Sequence, residues 1–243
     1  MLSKLLDRWF RVKWDSTPQV IILKKARALY FPIPKVACSS WKKVCAATLG
    51  LTIPPGKGIH HVRFPTVSLD QVHRFRRYFK FCFVRNPWDR LVSCYSEKIK
   101  QDPNYNLHGF ERGIPRAFAR FKVFHATMSF DSFVEAVVQI PDDDANLHFK
   151  SQAAFVTDRE GRLLVDFVGK LEHAERDFAY VIDRLNLGTR SVPHLNKSVH
   201  RDYRTFYTDR TIEMVRRRYQ KDIELFGYDF DGSEKTGVLA ASR

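Results

Sequence analysis

A-L-Y-F-P-I-P-K-V-A-C-S-S-W-K-K-V-C-A-A-T-L, running from Ala28 to Leu49, spells a strand, a tight loop and a helix. Ala28 to Ile33 are apolar and aromatic, and Pro32 and Pro34 suit the end of a strand rather than its centre. Trp41, Val44, Cys45, Thr48 and Leu49 then recur at three- and four-residue steps, the spacing of a helix. Ser39 and Ser40 stand where a serine caps the helix start. The N–H groups of that start, with the helix dipole behind them, attract an anion. Lys35, Lys42 and Lys43 oppose the dipole unless something negative lies among them. That mismatch points to a bound phosphate or sulfate. No glycine lies between Ala28 and Leu49, so this is not the G-x-x-x-x-G-K-[ST] loop. On this stretch alone, an ordinary strand–turn–helix with a serine cap stays open.

A second corner follows. Tyr78 to Arg85 is short, aromatic and β-branched, which predicts a strand. Asn86 and Pro87 come next, and proline favours a first helical position. Trp88, Leu91, Val92 and Tyr95 continue with helical spacing to about Lys100, and Ser93 and Arg90 lie on that helix. In open α/β sheets ligands bind at the carboxyl ends of strands. The two corners, one with Lys35, Ser39 and Ser40 and one with Arg85 and Ser93, are placed to hold two anionic groups of one ligand.

Further along, a helix is predicted from Ser129 to Ile140, capped by Ser129 or Asp131 and stopped by Pro141. A third strand is predicted from Leu163 to Leu171, followed by a helix from Glu172 to Leu187 ended by Gly188. The last helix is capped by Thr208 or Asp209 and closed by Gly227. Gln101 to Lys122 shows no period and reads as a long loop or irregular helix. Strands alternating with helices predict an α/β domain with a mostly parallel sheet. The expected organisation is an amphipathic arm over residues 1–27, one domain over 28–231 and a mobile tail over 232–243. The arm, rich in Leu, Trp, Phe, Lys and Arg, either packs on its own domain or touches a membrane surface.

The 41 Lys and Arg outnumber 27 Asp and Glu, a formal charge of +14 that implies anionic partners. No apolar run approaches the length of a membrane span. Cys38, Cys45, Cys82 and Cys94 form no C-x-x-C pair and sit among apolar neighbours, which predicts buried free thiols in a reducing compartment. No metal-ligand cluster is visible. His60 and His61 follow the Pro/Gly-rich segment from Leu51 to Gly58 and are candidates for acid/base work. His148 and Gln152 share a shorter apolar element from Asn146 to Val156.

These residues resemble a family. P-K-V-A-C-S-S-W-K looks like the 5′-phosphosulfate loop of carbohydrate sulfotransferases, and F-V-R-N-P-W-D-R-L-V-S-C-Y like their 3′-phosphate motif. Four further stretches, F-D-S-F-V, N-L-H-F-K-S-Q, D-F-V-G-K-L-E-H-A-E-R-D-F and the run from Phe206 to Tyr228, resemble the same family in the same order. The likeness spans about Leu29 to Phe230 and is nearest to chondroitin, dermatan and HNK-1 type enzymes, with I-H-H-V-R-F similar to uronyl 2-O-sulfotransferases. It implies a P-loop NTPase-like α/β fold, a mostly parallel sheet flanked by helices, and the donor 3′-phosphoadenosine 5′-phosphosulfate (PAPS, product PAP).

It also implies roles. Pro34, Lys35, Val36, Ala37, Cys38, Ser39, Ser40 and Trp41 wrap the 5′-phosphate, with Lys35 near the departing oxygen. Arg85 and Ser93 clamp the 3′-phosphate, and Lys197, Ser198 and Arg201 close over the nucleotide. His61 is the first candidate for the base, with His60 and His148 as alternatives; Phe149 stands where the family usually has Trp. The acceptor is a carbohydrate, an acidic glycan or glycolipid among the choices, and nucleic acid is not expected. A P-loop-type kinase and an inactive member that only binds a polyanion or glycan remain the competing readings. Lacking the relatives' anchor segment and lumenal cysteines, the sequence suggests a cytoplasmic microbial enzyme, or a Golgi-lumenal one if it is an excised domain.

Overall fold

A computed structural model describes residues 18–188 and 202–232. In chain order the main elements are β1 (Gln19–Leu23), β2 (Ala28–Phe31), α1 (Cys38–Leu49), β3 (Thr66–Ser68), β4 (Phe79–Val84), α2 (Pro87–Lys98), α3 (Phe130–Val138), β5 (Phe167–Lys170), α4 (Ala174–Arg184), α5 (Asp209–Arg218) and α6 (Gln220–Phe226). The chain groups into two interleaved compact units, and it passes from one to the other at Arg85/Asn86 and at Ser151/Gln152. One unit holds residues 18–85 and 152–188; the other holds 86–151 and 202–232.

The first unit is built on a five-stranded sheet in the order β3-β1-β2-β4-β5. β2 pairs with β4 and β4 with β5 in parallel, while β1 runs antiparallel to both of its neighbours. Four strands therefore point one way and β1 alone is reversed, the mixed, mostly parallel sheet expected. All four residues of β2 and the last four of β4 are buried. Strands covered on both faces carry apolar runs rather than alternating patterns, and these do. β1 and β3 went unrecognised in the sequence. β1 lies inside the arm expected over residues 1–27, so that arm does not extend through Gln19–Leu23; residues 1–17 lie outside those described.

Trp41 of α1 and Phe178 of α4 meet on Phe83 of β4. Trp41 stacks on Phe83 at 4.9 Å between ring centroids, and Phe178 meets Phe83 edge-on at 4.7 Å. Tyr30 and Phe81, paired across β2 and β4, stack at 5.2 Å beside them. Gly169 of β5 lies opposite Phe83 in the ladder. A Cβ at Gly169 would fall 2.4 Å from the Phe83 ring and 3.1 Å from Asp177. Glycine is needed there because the aromatic cluster presses the Phe83 ring onto the neighbouring backbone.

The second unit is helical. Trp88, Leu91 and Val92 of α2, Phe133, Val134 and Val137 of α3, and Val215 of α5 share one buried cluster with Phe118, Phe149 and Tyr219. The helix starts follow local chemistry. Pro87 opens α2 and the Asn86 side chain accepts from Trp88 N–H. Ser129, not Asp131, caps α3, and Thr208, not Asp209, caps α5 in a reciprocal pair with Thr211. The single last helix expected is broken at Tyr219 into α5 and α6, and left-handed Gly227 closes it. The helix expected from Glu172 to Leu187 begins as a 3-10 turn, Leu171–His173, and α4 ends at Arg184, before Gly188. Gln101 to Lys122 contains only a two-residue ladder, Phe110–Glu111 with Ile114–Pro115, and a single helical turn, Arg116–Ala119. No described helix is long and apolar enough to cross a membrane.

Overpacking a filled core costs about 1–3 kcal/mol. Gly169→Ala is expected to destabilise the protein by that amount, read as a lower midpoint in thermal denaturation. An unchanged midpoint would mean that the Phe83 ring can retreat from β5.

Candidate active site

The loop from Pro34 to Ala37 joins β2 to α1 without a glycine, yet Lys35 (φ 73°) and Ala37 (φ 52°) both adopt the left-handed conformation. Such backbone in non-glycine residues costs of order 1–3 kcal/mol each and gathers at ligand clamps. The surrounding packing holds it: Ile33 and Val36 are buried on either side, and Trp41 is fully buried in the aromatic cluster. The serines do not cap the helix as expected. α1 starts at Cys38, the cap position is Ala37 with no side-chain bond, and Ser39 and Ser40 lie within the first turn. Trp41 N–H already donates to Ala37 C=O at 3.1 Å, so it is spent on the helix and not available to an anion as expected. Cys38, Ser39 and Ser40 supply the N–H groups that precede the first intrahelical bond. The first turn carries no acidic residue, while Lys42 and Lys43 follow directly. The helix start therefore carries cationic side chains and no acidic one of its own.

Two other segments of the same unit reach this loop. Arg85, at the carboxyl end of β4, is buried and its guanidinium donates to Lys35 C=O at 3.3 Å. His60, in the 3-10 turn Ile59–His61, contacts Ser39 Oγ through Nε2 at 2.9 Å and Lys42 Nζ through Nδ1 at 3.5 Å. A lysine ammonium only donates, so Nδ1 accepts and Nε2–H donates to the Ser39 hydroxyl. His61 is exposed, and among the described residues its ring makes no hydrogen bond. The structure thus brings Lys35, Ser39, His60 and Arg85 to one corner and leaves His61 one residue outside that contact.

The remaining candidates are placed as follows. Ser93 is buried on α2 in the helical unit. His148 belongs to the same unit, where Asn146 Oδ1 accepts from its ring Nδ1 at 2.8 Å, a positioned histidine. Arg90 is structural: its guanidinium donates to Lys150 C=O at 2.7 Å and to Leu147 C=O at 3.2 Å. Lys197, Ser198 and Arg201 lie outside the described residues. Cys38 is half-exposed, while Cys45, Cys82 and Cys94 are buried. Burial pushes the Cys45 thiol up to about 12, against the pull of Lys42, so it stays protonated and inert. Among the described residues no group of His, Cys, Asp and Glu is placed to hold a metal ion.

One residue was quoted in the sequence but given no role. Gln152 is fully buried, and its side-chain amide accepts from Arg85 N–H at 3.0 Å and donates to Arg85 C=O at 2.8 Å. It does for Arg85 what a neighbouring strand would do, extending the ladder by one residue past the end of β4. A lone glutamine carries no periodicity that announces this; only its place in N-L-H-F-K-S-Q, the stretch matched by resemblance, marked it. Asp177 acts similarly at β5, accepting from Lys170 N–H at 2.6 Å.

The sequence profile of the sulfotransferase family matches residues 18–229. The chain is similar to carbohydrate sulfotransferase 14 of Danio rerio, 26% identical over 86% of this chain and 62% of that protein. It is similar to carbohydrate sulfotransferase 11 of Rattus norvegicus, 30% identical over 69% of this chain and 53% of that protein. It is also similar to carbohydrate sulfotransferase 10 of Homo sapiens, 24% identical over 86% of this chain and 67% of that protein. The chain therefore spans roughly half to two thirds of the length of these relatives. No solved structure gives a significant match.

Removing a buried amide that satisfies two backbone groups leaves both unpaired, at about 1–3 kcal/mol each. Gln152→Leu is expected to lower stability measurably and to loosen Arg85, weakening any anion held there. Chemical denaturation and anion binding by calorimetry check the two effects; a variant equal to the parent in both would dismiss the clasp.

Proposed function

Since the chain belongs to the sulfotransferase family, we propose that it moves a sulfuryl group from 3′-phosphoadenosine 5′-phosphosulfate to a hydroxyl of a carbohydrate. The observation that carries this reading is the glycine-free, left-handed loop at Lys35 and Ala37, gripped by Arg85 and lined by His60. A helix start with lysines and no acid fits an anion, and a second cation on the adjacent strand end suits a second anionic group of the same molecule. The carbohydrate acceptor is supported by the names of the similar proteins.

When bound, the donor supplies an activated sulfuryl group on a phosphosulfate anhydride. The N–H groups of Cys38, Ser39 and Ser40 hold the 5′-phosphate end, helped by the Ser39 and Ser40 hydroxyls. The Lys35 ammonium offsets the charge that develops on the departing oxygen. The Arg85 guanidinium, with its planar fork, holds the 3′-phosphate. His60 takes the proton of the acceptor hydroxyl on Nδ1, giving up the long 3.5 Å contact with Lys42 while Nε2–H stays on Ser39; a base in such a step contributes typically 10²–10⁴ in rate. His60 is preferred to His61 because it already touches the donor loop through Ser39 and Lys42.

A charge-assisted phosphate contact is worth about 1.5–3 kcal/mol, or roughly 10- to 100-fold in affinity. Calorimetry is therefore expected to show adenosine 3′,5′-bisphosphate binding at least tenfold tighter than AMP. Arg85→Lys, which keeps the charge but loses the fork, is expected to shrink that preference. Equal affinities in the parent protein would remove the donor assignment.

With labelled donor and a mixed pool of glycan acceptors, His60→Ala is expected to lower kcat by about 100-fold or more, leaving donor affinity within a few-fold. His61→Ala is expected to stay near the parent rate. The reverse ranking would move the base to His61.

A further inference from the structure

The donor loop leaves the carboxyl ends of the strands; the opposite edge of the same sheet carries a different surface. The turn from β1 to β2 presents Lys24, Lys25 and Arg27, all exposed. Arg76 and Arg77, also exposed, precede β4. The register Ala28↔Phe79 and the bond from Phe79 N–H to Arg27 C=O at 2.9 Å bring the two segments side by side. None of these five cations makes an ion pair among the described residues. The acids nearby are engaged elsewhere or stand at the margin. Asp166 pairs with Lys80 at 3.6 Å. Asp183 is exposed one residue before Arg184.

Aromatic rings interleave with the cations. Arg184 of α4 lies over the Phe79 ring, 5.3 Å from its centroid. Tyr180, 46% exposed, packs on Phe167 at 4.5 Å and faces Phe79 at 6.5 Å. Phe75 and Tyr78, both half-buried, meet edge-on at 5.1 Å beside Arg76 and Arg77. A soluble sulfated polysaccharide is drawn chiefly by the cations. Exposed and half-exposed rings flanked by Lys and Arg are what the headgroup layer of an anionic bilayer accommodates, with rings at the interface and cations on the lipid phosphates.

We propose that this edge of the sheet, centred on Lys24, Lys25, Arg27, Arg76 and Arg77 and rimmed by Tyr180 and Phe79, docks on a membrane surface rich in anionic phospholipid. β2 and β4, four and six residues long, separate this edge from the donor loop by roughly 13–20 Å. Docking there turns the carboxyl ends of the strands, and with them the donor loop, toward solution. This surface uses none of the residues assigned to sulfuryl transfer, so the two readings stand or fall separately.

Sedimentation with large vesicles tests it. The protein is expected to bind vesicles of 30% phosphatidylserine in phosphatidylcholine and to ignore vesicles of phosphatidylcholine alone. Half-molar salt is expected to weaken binding at least tenfold. A basic residue near an anionic leaflet contributes roughly fivefold in partitioning, so the combined variant Lys24→Glu, Arg27→Glu, Arg76→Glu and Arg77→Glu is expected to lose about 100-fold or more. Tyr180→Ala is expected to lose several-fold. A circular-dichroism spectrum and a cooperative thermal unfolding midpoint equal to those of the parent show that the quadruple variant is folded. Equal binding to both vesicle types, or undiminished binding by a folded quadruple variant, overturns the proposal. So does a result in which the patch governs affinity for a soluble sulfated polysaccharide while the parent protein ignores anionic vesicles.

Discussion

The parallel pairing of β2 with β4 is the constraint on which the rest of the site unit depends. Its register, Ala28↔Phe79 through Phe31↔Cys82, fixes both ends of the two strands at once. At the carboxyl ends it sets the loop that follows β2 beside Arg85, so that a guanidinium reaches the Lys35 carbonyl. At the amino ends it sets Arg27 beside the segment that carries Arg76 and Arg77. A slip of one residue would turn every side chain of β4 to the other face and take Phe81 and Phe83 away from Trp41. The aromatic cluster and the positively charged corner therefore follow from the same ladder.

The corner also shows how a tight left-handed loop can be built without glycine. Two left-handed residues, Lys35 and Ala37, are held by buried neighbours on both sides and by a helix whose first-turn tryptophan is locked into the core. Strain of this kind persists only where packing over-determines it. Gln152 adds a second restraint by clasping the backbone of Arg85 just where β4 has run out of ladder partners. The indole N–H of Trp41 is buried without an acceptor. That unsatisfied donor is a local cost of fixing the ring against Phe83, set against the dispersion and edge contacts of five aromatic side chains.

Much of this was legible in order. The strands at Ala28 and Phe79, the helix starts at Pro87 and Ser129, and the end at Gly227 each rest on local chemistry that a sequence displays: ring runs, proline at a first helical position, a hydroxyl cap, a left-handed glycine. Other features were not legible. β1 is a Q-V-I-I-L run that forms a hairpin with β2, and it was hidden inside the expected amphipathic arm; β3 is three residues long and pairs with β1, a partner distant in sequence, so nothing local marks it. Ser39 and Ser40 looked like caps because serine usually acts there, but the left-handed turn at Ala37 starts the helix earlier and leaves Ser39 to His60. Arg90 and Arg85 look alike in the sequence, five residues apart; one is bonded to the carbonyls of Leu147 and Lys150, the other to the carbonyl of Lys35 in the loop after β2.

By itself the sequence determined which segments are strands and helices around the two corners, and which residue types, lysine, serine, histidine and arginine, would meet an anion. Those follow from periodicity, capping and charge, which act over a few residues. Only the tertiary structure decided that His60 rather than His61 touches the loop, that Gln152 holds Arg85, and that five cations from two turns share one edge of the sheet. Each of these contacts joins residues from separate elements or distinguishes one ring from its neighbour. Such choices are made by strand register and by the space left after the core is filled, and neither quantity is written in any local stretch of the chain.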